Sequence, residues 1–148
     1  MRSRSLLLKL ARLGPGEWRD LLAAQWAIAN AQMSVWFRPR GSLVAPGPAI
    51  GTSGSDRTPD PALRQLAQAV DRAASYGPIR AQCLVRSIAL ARLMESRGYQ
   101  GALVKVGVHR TGDRMLAHAW VEFNGVVIGD DERRTSKFDQ LPGIDVDI

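Results

Sequence analysis

The stretch CLVRSIALARLMESRG, from Cys83 to Gly98, predicts a helix that is apolar on most of its sides. Its apolar residues are Leu84, Val85, Ile88, Ala89, Leu90, Ala91, Leu93 and Met94. A helix without a broad polar face is buried inside a domain, and a glycine such as Gly98 commonly ends one. We therefore expect a central helix from Cys83 to Arg97, with the only cysteine of the chain in its first turn.

A second helix is expected immediately upstream, beginning after Asp60. An aspartate is a good N-cap, and a proline such as Pro61 suits the first helical position. The apolar residues of this helix are Leu63, Leu66, Ala67, Val70 and Ala74. Their helical spacing ends before Gly77, and Pro78 forces a break.

Downstream of the central helix the pattern changes to the alternation that is typical of strands. ALVKVGVH (residues 102–109) and MLAHAWVEF (residues 115–123) both alternate, and Asn124-Gly125 is a strong hairpin signal before the returning strand VVIGD. Two helices followed by an antiparallel meander define an α+β fold, in which we expect the cysteine-bearing helix to pack on the sheet.

Residues 1–40 predict an N-terminal helical segment, with a short first helix that stops at Gly14 and a longer one that begins at Pro15. The short helix would present Leu6, Leu7, Leu10 and Leu13. The longer helix carries a stripe formed by Trp18, Leu22, Trp26, Ala29, Met33 and Trp36. We expect this stripe to pack on the core, and a docking surface for another protein is the alternative.

Residues 41–60 are expected to be a linker or surface loop, because the stretch RPRGSLVAPGPAIGTSGSDRTPDP contains five prolines and four glycines. The α+β core would then occupy residues 61–148. No run of apolar residues is long enough to predict a transmembrane helix. A single cysteine allows no internal disulfide, which favours a cytoplasmic location.

The net charge of +6 is uneven, because residues 1–40 hold seven basic residues against two acidic ones and so carry +5. A basic arm suits an acidic partner, a nucleic acid or a membrane surface. This arm lacks the dense clustering of strong nucleic-acid binders, and we expect no nucleic-acid partner.

Cys83 stands where helix geometry favours thiol chemistry. The positive end of a helix dipole stabilises a thiolate, and the backbone N–H groups of the first turn lack intrahelical partners and can bind an oxyanion. Taken alone, however, a lone cysteine is more often a structural residue.

A base and an orienting acid are needed as well. His118 lies in a strand between two alanines, whereas His109 ends its strand beside a polar turn. A two-residue hairpin loop would place Asp131 opposite His118, and a three-residue loop with a bulge would bring Asp130 to the face of His118. Spacing alone leaves both aspartates open.

The same residues permit other interpretations. Cys83, His109, His118 and Asp130 could in principle bind a metal ion, but no CxxC, HxxxH or HxH pair is present, and we expect no metal and no cofactor. Arg86 follows Cys83 by three residues, where it could support the thiolate or bind an acidic group of a substrate.

Together, CLVRSIALARLMESRG, ALVKVGVH and AHAWVEFNGVVIGD resemble the transglutaminase-like cysteine proteases, and in particular the leader peptidases of lasso peptide biosynthesis, the B2 type. The N-terminal LARLGPGEWRDLLAAQWAIANAQMSVWFRPRG is similar to the helical segment that precedes the core in those peptidases. The resemblance covers nearly the whole chain apart from the loop around residues 45–60.

The resemblance implies a catalytic triad of Cys83, His118 and Asp130, and with Asp130 the bulged hairpin register. Gln82 would support the oxyanion, and Trp120 would pack beside the site. It also implies cleavage of a leader peptide from a precursor, a separate B1-type protein that recognises the leader, and an ATP-dependent cyclase that acts afterwards. An acyltransferase with the same triad and a non-catalytic binding scaffold are the alternatives.

Overall fold

The cysteine-bearing helix forms where the sequence predicts it and lies between two other helices and a sheet. The computed structural model describes residues 14–37, 44–45, 60–76 and 82–146. The predicted short helix over Leu6–Leu13 and most of the predicted loop over residues 41–60 lie outside these ranges.

The described helices are α1 (Pro15–Phe37), α2 (Pro61–Tyr76), α3 (Cys83–Ser96) and α4 (Glu132–Thr135). The strands are β1 (Val44–Ala45), β2 (Leu103–Thr111), β3 (Arg114–Phe123), β4 (Val126–Ile128) and β5 (Asp139–Val146). Every pairing between neighbouring strands is antiparallel, and their order across the sheet is β1-β5-β2-β3-β4. The predicted α+β fold is confirmed.

The start of α2 and the end of α3 follow from local chemistry. Asp60 caps α2, because its Oδ1 accepts a hydrogen bond of 2.9 Å from the N–H of Ala62. At the C-terminal end of α3, Arg97 is the cap residue and Gly98 adopts a φ of +90°, a backbone conformation that glycine reaches without strain. Both predicted helices therefore have the expected limits to within a residue.

The core lies between the three long helices and one face of the sheet. Its largest fully buried side chains are Ile28, Ile88, Met94, Val104 and Val121. They come from α1, α3, β2 and β3, so α3 is covered by helices on one side and by strands on the other, as its nearly all-round apolar surface predicts.

The aromatic stripe of α1 faces solvent, so the expectation that it packs on the core is wrong. Trp26 and Trp36 are 72% and 70% exposed. The inward face of α1 instead consists of Ala24, Ile28 and Ala31. These residues also recur at helical spacing. The small side chains of Ala24 and Ala31 let α1 lie close to its neighbours, and Ile28 extends into the core. The helix thus has two apolar faces, and the pattern alone does not tell which one is buried.

Two elements at the C-terminal end were missing from the sequence analysis. The four-residue helix α4 follows the hairpin, and β5 pairs with β2 on the side opposite β3. β5 contains Pro142 and Gly143, which weaken a strand pattern. The predicted meander is therefore the β2-β3-β4 part of a larger sheet, and Val44 and Ala45 of the predicted loop pair with β5. Within the described residues, no helix combines the length and the apolar character needed to cross a membrane.

A buried carboxylate joins the three long helices. Asp20 of α1 is buried, and its two oxygens accept hydrogen bonds from Arg97 Nη2, at 2.6 Å, and from Gln65 Nε2, at 3.1 Å. Gln65 belongs to α2, and Arg97 follows α3. One side chain therefore fixes α1 against both of its helical neighbours.

Replacing Asp20 by alanine should lower the free energy of unfolding by about 2 to 3 kcal/mol, because it leaves the partly buried Arg97 without its counter-charge. Chemical denaturation followed by circular dichroism measures this. The control is Arg72→Ala, which removes the exposed pair of Arg72 with Glu17 and should cost less than about 1 kcal/mol. Equal losses in the two variants would contradict the role assigned to Asp20.

Candidate active site

A cavity of about 290 Å³ opens between α3, α2, β3 and the segment that follows β4. Its polar lining comes from Cys83, Arg86, Ser87, His118, Asp130 and Arg134. The remaining walls are mainly apolar, with Ala67 and Val70 from α2 and Leu90 from α3 among them. The three residues of the predicted triad therefore line one cavity.

Cys83 is the first residue of α3 and is partly buried. Gln82 is the N-cap, in extended conformation, but its side chain is exposed and accepts no hydrogen bond from the first turn. Gln82 is next to Cys83 in the chain but is not among the residues that line the cavity. The backbone N–H groups of the first turn thus lack a side-chain cap at the point where the thiol stands.

His118 and Asp130 form a short hydrogen bond, with 2.6 Å between Nε2 and Oδ2. His118 is only 8% exposed. A carboxylate is an acceptor, so Nε2 carries the proton in this pair, and Nδ1 is the ring nitrogen that can accept a further proton when the imidazole is neutral. The pair therefore has the geometry of a base oriented by an acid.

The hairpin register differs from the one that accompanied Asp130 in the sequence analysis. Phe123 pairs with Val126 across a two-residue loop, so the expected bulge is absent. β4 ends at Ile128, and Gly129 has a φ of +76°. Strict alternation would send Asp130 to the face away from His118, but the turn at Gly129 interrupts the alternation and brings Asp130 back.

Gly129 is also where the chain packs most closely on the helices. A Cβ atom there would lie 3.0 Å from Cβ of Ala67 and 3.1 Å from Cδ2 of Leu90. The positive φ and the lack of space both favour glycine at this position.

The two neighbouring aspartates have different structural roles. Asp131 caps α4, since its Oδ1 accepts a hydrogen bond of 2.9 Å from the N–H of Arg133. Asp130 uses Oδ2 for His118 and Oδ1 for the N–H of Asp131, at 2.8 Å. The ambiguity that spacing left open is thus resolved in geometry, because Asp130 is the aspartate that contacts the imidazole.

Aromatic rings hold His118 in place. The ring of Trp120 is stacked on it at 6.2 Å between centroids, and the ring of Phe138 lies at 5.2 Å. Trp120 is buried, and its indole N–H donates to Oε1 of Glu122 at 2.9 Å. Trp120 therefore packs beside the candidate site, as expected from the sequence.

Gly107 makes room for these rings. A Cβ atom at Gly107 would lie 2.9 Å from both Cβ of Phe138 and Cη2 of Trp120. Phe138 gives no signal of its own in the sequence, and neither Phe138 nor Gly107 was predicted as a site residue. A glycine inside an otherwise apolar strand is the signal that could have identified a close approach at that position.

Arg86, Arg134 and Ser87 are the cationic and hydroxyl side chains at the cavity. Arg86 lines the cavity, but its guanidinium forms an ion pair with Asp71 of α2. Arg134 and Ser87, which the sequence analysis did not single out, line the cavity too. Ser87 is buried and lies one helical turn after Cys83.

His109 stands apart from the cavity lining and contacts Phe138, at 5.7 Å between ring centroids. Among the residues that the structure describes, no three histidine, cysteine, aspartate or glutamate side chains lie close enough together to hold a metal ion.

One of three comparisons with known proteins identifies a family. A family model described as the transglutaminase-like superfamily matches residues 26–142. The chain therefore belongs to the transglutaminase-like superfamily, whose members are in general catalysts of the cysteine-protease type, as peptidases or acyltransferases. The searches of curated proteins and of solved structures each returned no match.

Proposed function

We propose that this protein is a cysteine peptidase that removes the leader from a lasso peptide precursor before a cyclase closes the macrolactam ring. The observation that carries the proposal is the short hydrogen bond between His118 and Asp130 in the cavity that Cys83 also lines. Membership of the superfamily supports cysteine chemistry. The resemblance of the three quoted motifs to B2-type leader peptidases supports the choice of substrate.

The reaction follows from the atoms available. The Cys83 thiolate attacks the carbonyl carbon of the scissile amide, after Nδ1 of His118 has taken the thiol proton. Asp130 keeps the proton on Nε2 and stabilises the imidazolium. The first-turn N–H groups of α3 bind the oxyanion of the tetrahedral intermediate. His118 then protonates the departing amine.

Water completes the cycle. It attacks the thioester on Cys83 while His118 accepts a proton from it, and the leader leaves with a new carboxylate. The core peptide leaves earlier, with a new N-terminus. In an acyltransferase an amine would replace this water, and the same side chains would serve.

The first test incubates the precursor peptide encoded beside the gene of this chain with the protein and its recognition partner, and follows the products by mass spectrometry. We expect a single cut between leader and core, and its complete loss in Cys83→Ala. A parallel reaction with a primary amine added would reveal acyl transfer as a mass increment on the leader. An intact peptide, with both proteins folded and bound, would overturn the peptidase.

The neighbouring aspartates provide a matched pair of variants. Asp130→Asn should lower kcat by about 10²- to 10⁴-fold, because an amide no longer favours the tautomer with Nε2 protonated. Asp131→Asn should stay within about threefold of the wild type, because asparagine also caps a helix. A similar loss in both variants would exclude an orienting role specific to Asp130.

We further propose that the leader-recognition protein acts in trans and docks on the exposed aromatic face of α1, formed by Trp18, Leu22, Trp26, Met33, Trp36 and Phe37. No charged residue occurs between Leu21 and Phe37, and Asn30 is the one exposed polar residue in that range, so this face offers mainly apolar contact. The charge of +5 on residues 1–40 would add attraction for an acidic partner. The cyclase is the further partner that the resemblance suggests.

Replacing both Trp26 and Trp36 by alanine should weaken binding of the purified recognition protein at least about 100-fold, because large exposed aromatic residues dominate protein interfaces. Titration calorimetry measures the affinity. Tyr76→Ala, which removes an exposed aromatic side chain at the end of α2, is the control and should leave the affinity within about threefold. Unchanged binding by the double tryptophan variant would place the partner elsewhere.

A further inference from the structure

The strand that carries His118 has a backbone edge without a partner strand. β4 pairs with β3 only from Val121 to Phe123, and the chain then turns away at Gly129. In the described ranges, no strand pairs with residues 114–120 on that side of β3. Residues 114–117 are exposed, with Met115 at 71% and Leu116 at 49%, so solvent reaches this part of the edge. His118, Ala119 and Trp120 are buried and border the cavity instead.

The two hairpins determine which backbone groups of β3 point outwards. The residues that flank a two-residue loop form a hydrogen-bonded pair, and such pairs recur at every second residue. Thr111 with Arg114 closes the β2-β3 hairpin, so the even-numbered residues of β3 bond to β2. Phe123 with Val126 closes the β3-β4 hairpin, so the odd-numbered residues bond towards β4. The N–H and C=O groups of Met115, Ala117 and Ala119 therefore point towards the free edge.

The cavity lies at this edge. Five consecutive residues of β3, Ala117 to Val121, line it. Successive side chains of a strand point to opposite faces of the sheet, so a cavity that contacts five in a row wraps around the edge of the strand. Cys83 and Asp130 line the same cavity.

We propose that the substrate binds as an extended strand added to the free edge of β3, in line with β4, so that its backbone passes Cys83. This inference rests on the proposed peptidase function. Backbone hydrogen bonds to Met115, Ala117 and Ala119 position the peptide without reference to its sequence. The protein can select substrate side chains only at every second residue of the bound peptide, where they point towards the helices. Ala67, Val70 and Leu90 line the cavity on that side and favour an apolar substrate side chain.

The test uses acetyl-tetra-alanyl chloromethyl ketone and four derivatives of it, each N-methylated at one amide. The Cys83 thiolate displaces chloride and forms a thioether, and intact mass spectrometry measures the rate on the wild-type protein. N-methylation removes one donor, so at alternate amides it should slow labelling by about tenfold. At the amides between them, which point to solvent, the rate should change by less than about twofold. Cys83→Ala is the control for labelling at other sites.

The outcomes separate the two proposals. Rapid labelling of Cys83 by the parent reagent, with equal effects of all four N-methyl groups, would overturn strand addition and leave the peptidase intact. If the parent reagent labels Cys83 no faster than chloroacetamide does, the cavity does not bind peptides. That result would count against both the peptidase function and strand addition. Alternating sensitivity would support both.

Discussion

The burial of α3 on two sides is the constraint from which the rest of the structure follows. Helices α1 and α2 cover one side of it and the sheet covers the other, so its N-terminal end can only emerge at the boundary between helices and strands. Cys83 stands at that end, and His118 and Asp130 line the same cavity from the strand side. A helix with a polar face would have left the cysteine at the surface, away from the histidine.

Local chemistry made much of this fold predictable. Asp60 acts through its side-chain oxygen and Gly98 through its backbone conformation, and Asn124 and Gly125 both have positive φ, which a tight hairpin requires. The rest depends on contacts distant in sequence. β5, which carries Pro142, is held by its pairing with β2. The buried face of α1 depends on how Ala24, Ile28 and Ala31 fit against the neighbouring helices, which periodicity does not describe.

In the candidate site, too, some residues could be predicted from local sequence and others depend on contacts distant in sequence. Cys83 and His118 follow from a helix start and a strand pattern, so the sequence was enough to select them as candidates, and their catalytic roles stay predictions. Asp130 was selected by family resemblance, together with a bulged register that the structure does not have. The turn at Gly129 brings Asp130 to His118, and this turn lies against Ala67 and Leu90, which are distant in sequence. Phe138 could not be selected, since nothing in its neighbourhood distinguishes it from an ordinary apolar residue.

The chain has one cysteine, Cys83, which is partly buried at the N-terminus of α3. Peroxide would convert a thiolate at this position to a sulfenic acid. No second thiol in the same chain is present to trap that species as an internal disulfide. Protection from further, irreversible oxidation would therefore depend on glutathione or another external thiol, so the working lifetime of the protein would be set by the reducing capacity of its surroundings.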